Sequence, residues 1–132
     1  MKLLYDTNVV FDVVERRAPH YNASLQMLKL AQRGTVEAAM ASHTVANLFY
    51  QYGKAIIPDL KNRFLNDFEI VCGDARMVRA SLSSGVSDLE DALQVGAAMA
   101  WKAAFIITRN ERDFRRSPIP AISPAAYLKR FH

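Results

Sequence analysis

Three short stretches of the chain place carboxylates where chemistry could use them. Asp6 closes the apolar run KLLY, Asp88 and Asp91 stand three apart in SDLED, and Asp113 lies in TRNERD, directly after the apolar AFII. An ionised group at the end of a buried strand is costly unless it has a partner or coordinates a cation. A helix beginning at Asp88 brings both of its aspartates near one face. Gathered in one pocket, ionised aspartates raise one another's pKa unless a positive ion sits between them. Hard carboxylate oxygens select Mg²⁺ or Mn²⁺ over zinc. Such an ion orients and acidifies water and stabilises charge developing on a phosphoryl group, which is the chemistry of phosphodiester hydrolysis. Taken singly, each acid has a plainer role: Asp6 and Asp88 as helix caps, Asp113 as an ordinary turn residue.

Other chemistries find less support. The five glycines are too scattered for a dinucleotide or P-loop fingerprint. His20, His43 and His132 lack metal-ligand spacing, and no serine sits in a nucleophile elbow. Cys72 reads as a small core hydrophobe. A phosphorylated aspartate at the end of a first strand would want an acidic companion two residues on, where the chain has Asn8.

The elements that must position these acids alternate between strands and helices. Residues 2–5 read as a buried strand, followed by a largely buried helix over NVVFDVVERR. Pro19 breaks it. A second helix carries Tyr21, Leu25 and Leu28 on one stripe and stops at Gly34. Residues 36–40 read as a strand, and Ser42 or Thr44 as the cap of a helix through VANLFYQYGKA. A short helix over 58–66 leads to the strand FEIVC, and a helix over DARMVRASLSS ends near Gly85. The strongest helical pattern is SDLEDALQVGAAMAWK, with Leu89, Ala92, Leu93, Gly96 and Ala100 recurring every three or four residues, its small side chains suited to close packing on a sheet. AFIIT and IPAI read as strands around a NERDF turn, and Pro124 opens a terminal helix. The pattern predicts βαβ units: a three-layer α/β domain with a central, mainly parallel sheet, ligands binding beyond the carboxyl ends of the strands.

The 132 residues suffice for one domain spanning 1–132, and 51% hydrophobic with 23% charged residues is a folded balance. A lone cysteine excludes an internal disulfide, and the acid in MKLLYDTN interrupts any signal-peptide core, so a cytoplasmic setting is expected. No stretch is apolar enough for the roughly 20 residues of a membrane span. A net charge of +4 favours a polyanionic partner only mildly. Arg109, Arg112, Arg115 and Arg116 cluster around the late acidic motif.

Over its whole length the sequence resembles the PIN-domain family, specifically the small prokaryotic branch that includes VapC-type toxins. The resemblance is carried by LYDTNVVFDVV, SHTVANLFY, SDLEDALQVGAA, IITRNERDF and IPAISPAAYL, in that order. It implies a divalent-metal-dependent endoribonuclease that cuts RNA using Mg²⁺ or Mn²⁺. Asp6, Asp91 and Asp113 match the family's catalytic and metal-binding acids, with Asp88 as an additional metal ligand. Asn8, Thr108 and Asn110 match polar positions beside the site. The resemblance also implies an antitoxin partner that blocks the site, if the chain is the toxin of such a pair, and pairing into a homodimer through helical faces. One position departs: where the family usually supplies an acid, often glutamate, this chain has Asn47. Asparagine offers an oxygen without a charge, which leaves a catalytically weak or inactive RNA- or protein-binding module as the alternative.

Overall fold

The computed structural model describes residues 1–132. Five strands, β1 (Lys2–Tyr5), β2 (Glu37–Ala41), β3 (Phe68–Val71), β4 (Phe105–Ile107) and β5 (Ala121–Ile122), form one sheet in the order β3-β2-β1-β4-β5. Every pairing is parallel. Parallel sheets need cover on both faces, so their strands read as almost unbroken apolar runs. Here the alternation of side chains divides each strand between two cores. Leu3, Tyr5, Ala38, Met40 and Ile107 join one, and Leu4, Ala39, Ala41 and Ile106 the other.

The first core is closed by α1 (Thr7–Glu15), α2 (Tyr21–Gln32), α3 (Ser42–Tyr52) and the terminal α8 (Pro124–Phe131), and the second by α6 (Ala75–Leu82) and α7 (Leu89–Trp101). Between α3 and β3 the chain stays helical but changes pitch: a 3₁₀ turn (Gly53–Ile56), α4 (Ile57–Asp59), a π turn (Leu60–Phe64) and α5 (Leu65–Asp67). The expected short helix is therefore longer and irregular. Its wandering pitch still delivers Ile56, Leu60 and Phe64 to the core.

Several local expectations change. β2 is shifted by one residue, and α3 has no side-chain cap, because the helix already begins at Ser42: Ala41 takes the cap position and Ser42 and Thr44 fall inside the first turn, Thr44 buried. On α7, Leu89 and the neighbourhood of Ala100 face solvent, while Ala92, Val95 and Gly96 are buried. The close approach at Gly96 is to α6 rather than to the sheet: an added Cβ would fall 1.9 Å from Ser81 Oγ. Cys72 is exposed just past the end of β3, not in the core.

β1 lies at the centre, and the chain builds β2 and β3 on one side before crossing to β4 and β5 on the other. The order reverses between β1 and β4, and such a switch point opens a crevice beyond the carboxyl ends of the two strands. Asp6 and Thr108 are the first residues past those ends.

Candidate active site

Asp6 ends β1 in register with the end of β4, since Tyr5 pairs with Ile107. The register sets Thr108 beside it, and the Thr108 hydroxyl donates to Asp6 Oδ2 at 2.8 Å. The Asn8 amide donates to the same oxygen at 3.1 Å, and the Thr7 N–H to Oδ1 at 2.8 Å, so Asp6 also caps α1. Asn8 is held in turn by the Arg109 N–H, and Thr108 Oγ1 by the Asn110 N–H. Asn110 thus contributes its backbone, while its side chain is exposed.

Asp6 is 4% exposed and surrounded by neutral donors only. Burial pushes its carboxyl up to about 6, against the bonds from Thr108 and Thr7, and the nearby charge of Glu90 adds to the rise.

Asp91 enters from the first turn of α7. Asp88 caps that helix by accepting the Asp91 N–H at 3.0 Å. Burial, then the charges of Asp6, Asp88, Asp113 and Glu90, push the Asp91 carboxyl up to about 7. Three elements distant in sequence therefore direct negative charge at one place: the end of β1, the start of α7, and the 3₁₀ turn Glu111–Phe114 after β4, which carries Asp113. Asp88 and Asp113 are solvent-exposed at the rim.

Two residues at this site were not singled out in the sequence. Glu90 accepts a 2.7 Å hydrogen bond from the Asn47 amide across α3 and α7, bringing a carboxylate to the position beside Asn47. Both line a cleft of about 220 Å³ with Thr7 and Tyr50. Gln94, fully buried one turn beyond Asp91, donates to the hydroxyls of Thr7 and Thr44, and its Oε1 is left without a partner. A glutamine within an otherwise apolar helical face was the available signal for it. A glutamate in a first helical turn carries no such signal, because it complements the helix dipole anywhere.

No three carboxylates, histidines or thiols stand close enough to enclose an ion alone. The donor set nonetheless suits Mg²⁺ or Mn²⁺. Magnesium in particular keeps several waters and takes one or two carboxylates. Two elevated carboxyls and the orphaned amide oxygen nearby match that need. A roomier cleft of about 500 Å³ lies at the opposite, amino-terminal edge of the sheet beside Arg33, Glu37 and Trp101, away from the converging acids.

A family model described as PIN domain matches residues 2–112. The chain belongs to the PIN domain family. PIN domains are typically metal-dependent nucleases, and the matched span includes Asp6, Asn47, Asp88 and Asp91 but stops one residue short of Asp113. Solved structures of similar fold include VapBC2 of Rickettsia felis bound to a DNA fragment from its promoter, at 20% identity over 93% of this chain and 98% of that one, with a TM-score of 0.70. A toxin–antitoxin complex from Klebsiella pneumoniae aligns at 21% identity over 92% and 97%, with a TM-score of 0.71. DNA-bound VapBC from Salmonella typhimurium aligns at 16% identity over 94% and 98%, with a TM-score of 0.70. No curated protein sequence matches this PIN domain significantly. No helix in it is long and apolar enough to cross a membrane.

Proposed function

We propose that this PIN domain is an endoribonuclease that hydrolyses RNA phosphodiester bonds with Mg²⁺ or Mn²⁺ held by Asp6 and Asp91, assisted by Asp88 and Asp113. The observation that carries this reading is the convergence of Asp6, Asp88, Asp91 and Asp113 from three separate elements, close enough that their charges add to burial in raising the Asp91 carboxyl. A phosphodiester is itself an anion and would be repelled from such a pocket unless a cation stood between them. When bound, the metal supplies Lewis-acid stabilisation of the phosphoryl oxygens and an acidified water.

The chain's own residues do the positioning. Thr108, Asn8 and the Thr7 N–H fix both oxygens of Asp6, so the carboxylate meets a ligand in one orientation. Gln94 ties Thr7 of α1 and Thr44 of α3 to α7, which links the helix carrying Asp91 to the helix that Asp6 caps. The toxin role with an antitoxin partner, and a homodimer, belong to the same proposal. The toxin role is supported by the toxin–antitoxin complex among the similar folds, and the homodimer rests on the family resemblance alone.

Incubating the purified protein with RNA and Mn²⁺, beside an Asp6→Asn control, tests the assignment. Cleavage by the native chain alone is expected. Equal cleavage by both, or none by either across several RNAs, sinks it. One observation favours the noncatalytic module instead: the uncharged Asn47 is engaged with Glu90. If Asn47→Asp creates activity where the native chain has none, that second reading stands.

A further inference from the structure

Beside the acidic site lies a trough of about 330 Å³ lined by Gly85, Ser87, Arg112, Asp113, Arg115 and Arg116, with no apolar side chain among them. Ser87 adjoins Asp88 in the chain, and Asp113, whose charge reaches Asp91, forms part of the wall, so the trough abuts the carboxylate site. The two ion pairs in the molecule engage Arg17 and Arg109. Arg112, Arg115 and Arg116 are exposed and unpaired, three like charges within five residues. Gly85, at φ +84°, lets the loop before α7 lie against Arg116: a Cβ there would come within 3.3 Å of the arginine's own Cβ.

We propose that Arg112, Arg115 and Arg116, with the Gly85–Ser87 loop, bind the phosphates of an RNA strand leading into the carboxylate site. Unpaired guanidiniums whose forked donors face a solvent trough are the complement of phosphate oxygens. The trough has no aromatic ring on which a base would stack, so it grips backbone and leaves base choice elsewhere. RNA as the polymer rests on the nuclease reading above, whereas the trough's role is measured without cleavage.

The test is binding of a labelled single-stranded RNA, in EDTA, across a salt series. An Arg112→Ala/Arg115→Ala/Arg116→Ala variant is compared with Lys29→Ala/Arg33→Ala/Lys61→Ala, which removes the same charge from α2, the turn after it and the irregular helix. Loss of up to three phosphate contacts lowers the log–log salt slope by about 2 and weakens binding on the order of tenfold or more at low salt. The remote variant keeps the native slope. Ser87→Asp, which sets a negative charge on the rim and leaves the arginines in place, weakens binding in the same direction. Equal losses in the two triple variants overturn the proposal. So does an unchanged slope in the trough variant, an unaffected Ser87→Asp, or arginine dependence seen with duplex DNA and not with RNA. Trough-dependent binding without any metal-dependent cleavage keeps the trough and discards the nuclease. Cleavage abolished by Asp6→Asn, with trough-independent binding, does the reverse.

Discussion

Asp6 and Asp12 are both buried carboxylates, and adjacent residues of one strand end attend to them. Thr108 bonds to Asp6, and Arg109 stands 2.8 Å from Asp12 Oδ2, with the Ser24 hydroxyl at 3.2 Å. Asp12, fully buried in α1, thus has its countercharge within the protein. Asp6, almost as deep, has neutral donors and acidic neighbours. A buried anion with an arginine is a structural ion pair, whereas one left among other anions is held ready for a cation from outside. The contrast separates scaffold from site without reference to any relative.

The largest expected effect lies on the scaffold side. Arg109→Met strands the Asp12 charge and destabilises the fold by about 3–5 kcal/mol in urea unfolding, with no rescue by Mn²⁺. A loss under about 1 kcal/mol would erase the contrast. Asp6→Asn does the opposite: cleavage falls by more than about 100-fold, while the metal-free protein is at least as stable as the native chain at neutral pH.

Acidity sharpens the same point. The folded Asp6 carboxyl stands at about 6 against an ordinary 3.8, so the native state binds the extra proton between those values. Metal-free stability therefore rises as pH falls from about 7.5 toward 4, by on the order of 3 kcal/mol from Asp6, and Asp91 acts in the same direction. Thermal melts should show this rise, Mn²⁺ should flatten it, and Asp6→Asn should cut it back to the part that Asp91 contributes. A melting point that drops over that range would contradict it.

Smaller effects come from supporting residues. Thr108→Val removes the shorter of the two bonds to Asp6 Oδ2, leaving only that from Asn8, and weakens Mn²⁺ binding by roughly 10–100-fold in titration calorimetry. Glu90→Gln, at an exposed position, lowers Mn²⁺ affinity by less than about tenfold, within the lower reach of such supporting groups. A loss as large as that of Asp6→Asn would make Glu90 a principal ligand.

The parallel sheet was legible because its strands are mostly apolar, with charges only at Lys2, Glu37 and Glu69, and punctuated by Pro and Gly. Asp6, Asp91 and Asp113 stood out as acids directly after or beside buried elements. The Asp12–Arg109 pair was not legible. Asp12 falls within a helix where acids are usually solvated, and its partner lies 97 positions away in the sequence. Glu90 was missed because an acid in a first helical turn is ordinary, and only the approach of α3 gives it a neighbour. The irregular helix before β3 was also hidden, since changes of pitch follow from packing rather than from any residue's propensity.

The corner where β4 ends is fastened to α1 twice, by the Arg109 guanidinium at Asp12 and by its N–H at the Asn8 side chain, 3.3 Å away. Beyond that double rivet the segment from Asn110 to Arg116 forms a short arm, anchored in the core by the buried Phe114 and exposed at its other positions. If the arm holds a strand as proposed, substitutions at its exposed positions would retune that hold while leaving the fulcrum unmoved.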